Sequence, residues 1–284
     1  TADYDVMRQL LRPFTAIVYW HLSPDALTTF ILRWDSALPT VISRATDDSQ
    51  AGIEQVSQLE NWLKSWNQTY QIHIDKSKAT RLTKKSDWFN QLPDQLHRLS
   101  KILQIDQITS YLPSDTAHLI LVPHRDLHRL PLPALFSAYQ TTTLPSLQRG
   151  RTLRPPFTRP SSPSSNALTI TAPNHTDLAP LYHAEAETHL INQTLIQNEY
   201  SVNTMAAGNA TQTTVSQSLG QPHLIFHFNG HAAYNFSRPK DSAIALAGKD
   251  TLTVEDLYQI SLDTYSLVTL ASCETALSGS QTIT

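Results

Sequence analysis

The feature that most constrains the fold is the alternation of short apolar runs with helix-like segments in the second half of the chain. The runs have the length and composition of strands, and the segments between them repeat apolar residues at helical spacing. The predicted strands span residues 167–171, 200–205, 223–228 and 266–271, and the predicted helices span residues 182–198, 211–219 and 253–260. Strands that are joined through helices pair in parallel. The pattern therefore predicts a largely parallel sheet covered by helices on both sides.

The first half of the chain has a different order of elements. Residues 14–33 hold two apolar runs around a Ser-Pro-Asp turn, which predicts an antiparallel hairpin. Apolar residues spaced three and four apart predict helices over residues 48–70 and 88–103. Residues 118–123 form a continuous apolar run, which is typical of a strand buried on both faces.

A segment rich in proline, serine and arginine separates the two halves. Residues 144–166 carry five prolines, five serines and four arginines, with few side chains that a core would bury. Such a composition is typical of a surface connection between domains. We therefore expect two domains, residues 1–160 and residues 161–284.

Composition narrows the class of protein. The net charge of -3 gives no electrostatic reason to expect DNA or an anionic membrane as a partner. No apolar run approaches the roughly 20 residues that cross a bilayer, and the first residues lack the layout of a signal peptide. The chain has one cysteine, so it forms no internal disulfide. We expect a cytoplasmic protein without a membrane partner.

Two predicted strands lead to reactive side chains. The segment HLIFHFNGHAAYN leads to His231, and the segment YSLVTLASCETALSG leads to Cys273. In an open parallel sheet, ligands bind beyond the carboxyl ends of the strands. An imidazole within hydrogen-bond reach converts a thiol into the nucleophilic thiolate and later returns the proton to the leaving amine. We expect Cys273 as nucleophile and His231 as general base.

A tetrahedral intermediate also needs hydrogen-bond donors for its oxyanion. We expect the backbone N–H groups of Cys273 and of the turn from Gly230 to Ala232 to supply them. A helix that begins near Glu274 would favour the thiolate through its N-terminal N–H groups.

Each of these residues also has a structural interpretation. A lone cysteine at the end of a buried strand is more often a small core residue than a catalyst, and the neighbouring His231 is what favours chemistry. His227 lies inside its strand and is interpreted as a packed sheet residue. The segment from His183 to His189 is interpreted as the acidic first turn of a helix rather than a metal site. The His-Arg pairs at 124–125 and 128–129 are interpreted as a solvated turn rather than an anion site.

The quoted segments together resemble a known family. HFNGHA, LASCETA, LTVEDLYQI and LILVPHRDLHRLPLPALF resemble the motifs of the CHAT family, which are peptidases related to caspases and separases. The resemblance implies an α/β fold with a caspase-like, mostly parallel sheet flanked by helices. It also implies that residues 1–160 form an inactive, pseudo-caspase-like half before the catalytic half.

The same resemblance implies a function. It predicts a cysteine endopeptidase that uses no cofactor or metal, cleaves a protein substrate and is regulated by a partner or an attached domain. The family continues beyond the position of Thr284, so we expect a shortened form or a processed large subunit with a C-terminal small-subunit partner. Ala232 stands where the family commonly has glycine. Glu274 and Asp241 are candidates for binding the substrate.

Two other functions remain open. The chain could be a non-catalytic interaction or scaffold module in which a caspase-like body relays binding. It could also be a hydrolase or acyltransferase that acts on small thioesters, because that chemistry uses the same His-Cys pair.

Overall fold

The computed structural model describes residues 7–46, 48–79, 87–147, 166–235 and 237–272. The described residues fall into two compact units, one within residues 7–147 and one within residues 166–272. Most of the predicted connection between the domains therefore lies outside the described residues. In the part of the chain that the structure covers, no helix combines the length and the apolar character that membrane crossing requires.

The first unit is built on a five-stranded mixed sheet. Its strands are β1 (Thr15–Leu22), β2 (Leu27–Arg33), β3 (Thr40–Ser43), β4 (His118–Val122) and β5 (Gln140–Thr143). They lie in the order β3-β2-β1-β4-β5. The predicted hairpin is confirmed as the antiparallel pair β1 and β2, whereas β4 runs parallel to both β1 and β5.

Three helices follow the hairpin of the first unit, namely α1 (Ser49–Ala79), α2 (Asp87–Ile102) and α3 (Ile105–Ser110). α2 continues through Pro93 instead of being divided by it. Leu59 of α1 and Leu99 of α2 are fully buried in one core with Trp20 of β1. The apolar stripe that predicted each helix is therefore the surface that packs against the sheet.

The second unit contains a four-stranded parallel sheet and a small antiparallel sheet. Its strands are β6 (Asn166–Pro173), β7 (Ser201–Ala207), β8 (Ile225–Asn229), β9 (Ala232–Ala233), β10 (Ala243–Ala245), β11 (Thr251–Thr253) and β12 (Leu267–Ala271). The parallel sheet has the order β12-β8-β6-β7, and the small sheet has the order β11-β10-β9. Its helices are α4 (Ala184–Gln197), α5 (Gln212–Leu219) and α6 (Val254–Leu257).

Helices cover both faces of the parallel sheet at β8. Phe226 and Phe228 pack with Val215 of α5 on one face. The alternate residues of the strand point to the other face, where Asn229 hydrogen-bonds the first turn of α4. All five residues of β8 are buried, including the polar His227 and Asn229, because helices cover both faces of the sheet here.

This architecture confirms the predicted fold class. The chain is a mixed α/β protein with parallel strands flanked by helices, which agrees with a caspase-like fold. The helix predicted over residues 253–260 is shorter, at Val254–Leu257, and the side chain of Thr253 caps its first turn. The interpretation of residues 1–160 as an inactive peptidase half stays a prediction.

Candidate functional site

The site begins at the tight turn that follows β8. Gly230 is buried, and its N–H donates to the carbonyl oxygen of Ala271 at 3.4 Å, which ties the turn to the end of β12. A Cβ atom added to Gly230 would lie 2.5 Å from Cζ of Phe228. Carbon atoms in contact normally lie about 3.5–4.0 Å apart, so a side chain does not fit here without movement. Glycine is therefore required because the aromatic ring of Phe228 lies directly against the turn.

The hydrogen bond of His231 identifies the nitrogen that is free to accept a proton. Its Nε2 lies 2.8 Å from the carbonyl oxygen of Ala179. A carbonyl only accepts hydrogen bonds, so Nε2 must carry the hydrogen. In the neutral ring, Nδ1 then holds the lone pair. The backbone of His231 is also fixed, because its carbonyl accepts from the N–H of Ala245 at 2.8 Å.

His231 borders a cavity of about 290 Å³. The cavity lies beyond the ends of β6 and β7, and its lining comprises residues 172–175 and 178–182 together with Glu185, Ala207 and His231. The loop between β6 and α4 forms most of this lining, and the turn after β10 holds that loop in place. Thr176 N–H donates to the oxygen of Gly248 at 2.7 Å, and Gly248 N–H donates to the oxygen of Asn174 at 2.9 Å.

Buried polar side chains of β8 hydrogen-bond to α4 and to β12. The Nδ2 of Asn229 donates to Oε2 of Glu187 at 2.9 Å, which joins the strand to α4. Nδ1 of His227 lies 2.7 Å from Oγ1 of Thr269, which joins β8 to β12. Burial lowers the pKa of His227, while the charge of Glu187 acts in the opposite direction. The interpretation of His227 as a packed sheet residue is confirmed.

The second predicted reactive strand runs beside the first. β12 is parallel to β8, and Ala271 pairs with Asn229. His231 follows Asn229 by two residues, and Cys273 follows Ala271 by two residues. The described chain reaches Ser272, and Cys273 and Glu274 lie outside the described residues.

A comparison with family models identifies the family of the chain. Residues 93–283, which include the loop, the His231 turn and β12, match the model of the CHAT domain. The chain belongs to the CHAT domain family. CHAT domains are related to caspase-like cysteine peptidases, which agrees with the resemblance in the motifs. A search of curated proteins finds no match to the chain.

Within this CHAT domain, the predicted site residues that the structure describes lie in different surroundings. His231 borders the cavity. The N–H of Gly230 donates to the oxygen of Ala271 at 3.4 Å, and its role as an oxyanion donor stays a prediction. Ala232 opens β9 and pairs with Ile244 of β10. Its role as an oxyanion donor stays a prediction.

Asp241 is not brought to the cavity beside His231. It ends the short 3-10 turn Pro239–Asp241 in the connection between β9 and β10. There its carboxylate forms an ion pair with Nε of Arg238 at 3.0 Å, and it is not among the residues that line the cavity. This pairing is local to the turn, and the substrate-binding role of Asp241 stays a prediction.

Sequence reasoning missed Glu185 of the CHAT domain. Glu185 lies in the first turn of α4 and lines the cavity, as does Tyr182, which is 84% exposed. The pattern had indicated only an acidic helix start. The signal that was available is position, because α4 directly follows the loop at the carboxyl end of β6.

Proposed function

We propose that this CHAT domain is a cysteine-type endopeptidase in which Cys273 is the nucleophile and His231 is the general base. The observation that carries the proposal is the hydrogen bond between Nε2 of His231 and the oxygen of Ala179. This hydrogen bond leaves Nδ1 of His231 as the proton acceptor. The ring follows β8 at the same edge of the sheet where β12 ends. The chemistry predicted from the sequence and the orientation of the His231 ring therefore both support the role of general base.

The pairing of β8 with β12 supports the proposal further. Neighbouring strands lie about 4.8 Å apart, and consecutive Cα atoms lie about 3.8 Å apart. Because Asn229 pairs with Ala271, residues two positions further along each strand start from adjacent points. Chain connectivity therefore supports a short distance between His231 and Cys273.

The proposed reaction proceeds in two stages. Nδ1 of His231 takes the thiol proton of Cys273, and the thiolate attacks the carbonyl carbon of a peptide bond. Backbone N–H groups stabilise the oxyanion, and those of Cys273 and Ala232 are the proposed donors. The imidazolium returns the proton to the departing amine, and water then hydrolyses the thioester to release the second product.

The cavity supports a preference for a basic residue in the substrate. Glu185 is the acidic residue among the side chains that line it. A lysine or arginine side chain that entered the cavity would pair with this carboxylate. We propose that the residue before the scissile bond is cationic and that Glu185 pairs with it. Glu274 and Asp241 stay candidates for binding the substrate.

The exposed surface of β12 supports a partner protein. Within the described residues β12 is an edge strand of the parallel sheet, and Leu267, Val268 and Leu270 are each more than two-fifths exposed. Apolar edge strands favour pairing with a further strand. The proposed partner is a C-terminal small subunit or a regulatory protein.

The test compares variants of the full chain. Purified protein is incubated with a denatured protein substrate, and cleavage sites are read by mass spectrometry. We expect Cys273→Ala and His231→Ala to abolish cleavage and Glu185→Gln to reduce cleavage after lysine and arginine. The control is His183→Ala, because His183 is an exposed histidine outside the cavity lining. Unchanged cleavage by both Cys273→Ala and His231→Ala would overturn the assignment.

A non-catalytic interaction module is the second candidate. The observation that favours it is the hydrogen bond from the Gly230 N–H to Ala271, because it occupies one of the predicted oxyanion donors. A peptidyl chloromethyl ketone separates the two functions, because it alkylates an activated thiol. Stable binding of a partner protein with no labelling of Cys273 would support the module.

A further inference from the structure

A group of basic side chains lies at the carboxyl edge of the parallel strands in the first unit. We call it the basic cluster, and it comprises His21, His124, Arg125, His128 and Arg129. His21 lies near the end of β1, and the other four follow β4 directly. β1 and β4 are parallel, so their ends meet at one edge of the sheet, where ligands of such sheets bind.

The two histidines nearest the strand ends are held together. The rings of His21 and His124 stack with their centroids 4.8 Å apart and an angle of 17° between the planes. The N–H of Leu22 donates to Nδ1 of His124 at 3.0 Å. Nδ1 is therefore an acceptor, and Nε2 of the same ring carries the hydrogen. His124 thus keeps an N–H donor for a ligand.

The arginines carry donors that the described residues do not satisfy. Nη1 of Arg125 and Nε of Arg129 are buried, and neither has a hydrogen-bond partner within the described part of the chain. The guanidinium of Arg129 contacts Asp126 and Asn67 at 3.5 Å each, which is the outer limit of a hydrogen bond. Guanidinium groups stay charged, and buried charged donors without acceptors are unfavourable. Both arginine residues are only partly buried, so the remaining N–H groups of each guanidinium are suited to an external acceptor.

The backbone of Arg125 adds an independent observation. Its φ angle is 54°, in the left-handed region that residues with side chains seldom occupy. Strained positions of this kind concentrate at binding and catalytic sites. An arginine is held here although glycine would fit the backbone better, which indicates that the guanidinium serves a purpose.

Basic side chains outnumber acidic ones around His124. Burial lowers the pKa of His124, and the further charged groups that lower it are His21, Arg125 and His128. The carboxylate of Asp126 lies closest to Arg129, at the 3.5 Å contact. The cluster therefore has two permanently charged guanidinium groups beside the one carboxylate of Asp126, together with several donors and few acceptors.

We propose that the basic cluster binds the phosphate group of a small molecule. A phosphate offers three or more acceptor oxygens and carries more charge near neutral pH than a carboxylate does. Arginine binds phosphate through paired N–H donors, and the Nε2–H of His124 adds a further donor. The site lies in the first unit and uses none of the residues proposed for peptide cleavage. The phosphate proposal can therefore be tested independently of the peptidase proposal.

The experiment titrates the full chain with inorganic phosphate, adenosine monophosphate and acetate by isothermal titration calorimetry, with the ring signals of the histidines followed by NMR. Arg125→Gly removes the guanidinium and also relieves the left-handed backbone, so the variant is expected to fold, and circular dichroism checks this. Arg129→Gln is the second variant. The control is Arg98→Gln, which changes an exposed arginine of α2.

We expect saturable phosphate binding that shifts the ring signals of His21 and His124. Loss of one charge-assisted hydrogen bond should weaken it about tenfold in Arg125→Gly and Arg129→Gln, with no change in Arg98→Gln. Tighter binding of the nucleotide would identify a phosphate ester as the ligand, and equal affinity would identify free phosphate. Absence of saturable binding by both, acetate binding as tight as phosphate, or equal affinity in all three variants would overturn the proposal.

Discussion

Replacing Gly230 with alanine tests how closely the turn before His231 is packed. The new Cβ would lie 2.5 Å from Cζ and 2.8 Å from Cε1 of Phe228. Because carbon contacts are normally about 3.5–4.0 Å, the overlap is about 1 Å. Phe228 is fully buried, so its ring has no solvent to move into. Gly230 is not among the glycines with positive φ, so the effect is steric and not conformational.

Overpacking of this kind lowers the free energy of unfolding by about 1–3 kcal/mol. Phe228→Leu removes the ring that causes the overlap, so the double variant Gly230→Ala with Phe228→Leu should be more stable than the sum of the single effects predicts, by about 1 kcal/mol or more. The matched control is Gly208→Ala. A Cβ there meets nothing within 4 Å, so we expect no loss of stability.

The assay must report on the second unit. All five tryptophans belong to the first 88 residues, so tryptophan fluorescence follows the first unit. Urea unfolding is therefore followed by hydrogen exchange of the β8 amides. Equal unfolding free energies for Gly230→Ala, Gly208→Ala and the unchanged protein would refute the packing of Phe228 against Gly230. Additive effects in the double variant would refute it as well.

Three further predictions concern the second unit. Burial lowers the pKa of His227, so below about pH 6.5 the unfolded chain binds a proton that the folded chain does not. Unfolding free energy should fall as pH decreases from there, and less so in His227→Gln. Thr253→Ala should cost about 1 kcal/mol in urea unfolding at neutral pH, because it removes the capping box with Asp256. Hydrogen bonding to Thr253 lowers the pKa of Asp256, so this difference should shrink as acid protonates the carboxylate below about pH 4. Burial raises the pKa of Tyr265 to about 12, so stability should decline as pH rises from about 10 towards that value. Tyr265→Phe should abolish this alkaline decline, as followed by tyrosinate absorbance and circular dichroism.

The sequence by itself determined the longer elements. The apolar run of residues 118–123 predicts a strand buried on both faces, and β4 is buried from Leu119 to Val122. Thr253 predicts a helix start because its hydroxyl accepts from the N–H of Asp256, three residues away. Both signals act over a few neighbouring residues, so no knowledge of the rest of the fold is needed to interpret them.

The small sheet of β9, β10 and β11 was not predicted. Its strands contain two or three residues each, which is too short to show the alternation that marks a strand. They form because the chain after β8 turns back on itself, with Ile244 of β10 between Ala232 and Leu252. Pairing with neighbours, rather than local propensity, decides such elements.

Only the tertiary structure decided how the candidate sites are assembled. The oxygen of Ala179 reaches His231 from 52 positions away, and His124 binds the backbone of Leu22 from 102 positions away. Glu185 comes to the cavity because the loop after β6 folds over the edge of the sheet. Periodicity is a short-range property of the chain, whereas hydrogen bonds between distant loops depend on strand order and register. The sequence therefore predicted the candidate reactive residues, and the fold determined which groups surround those that the structure describes.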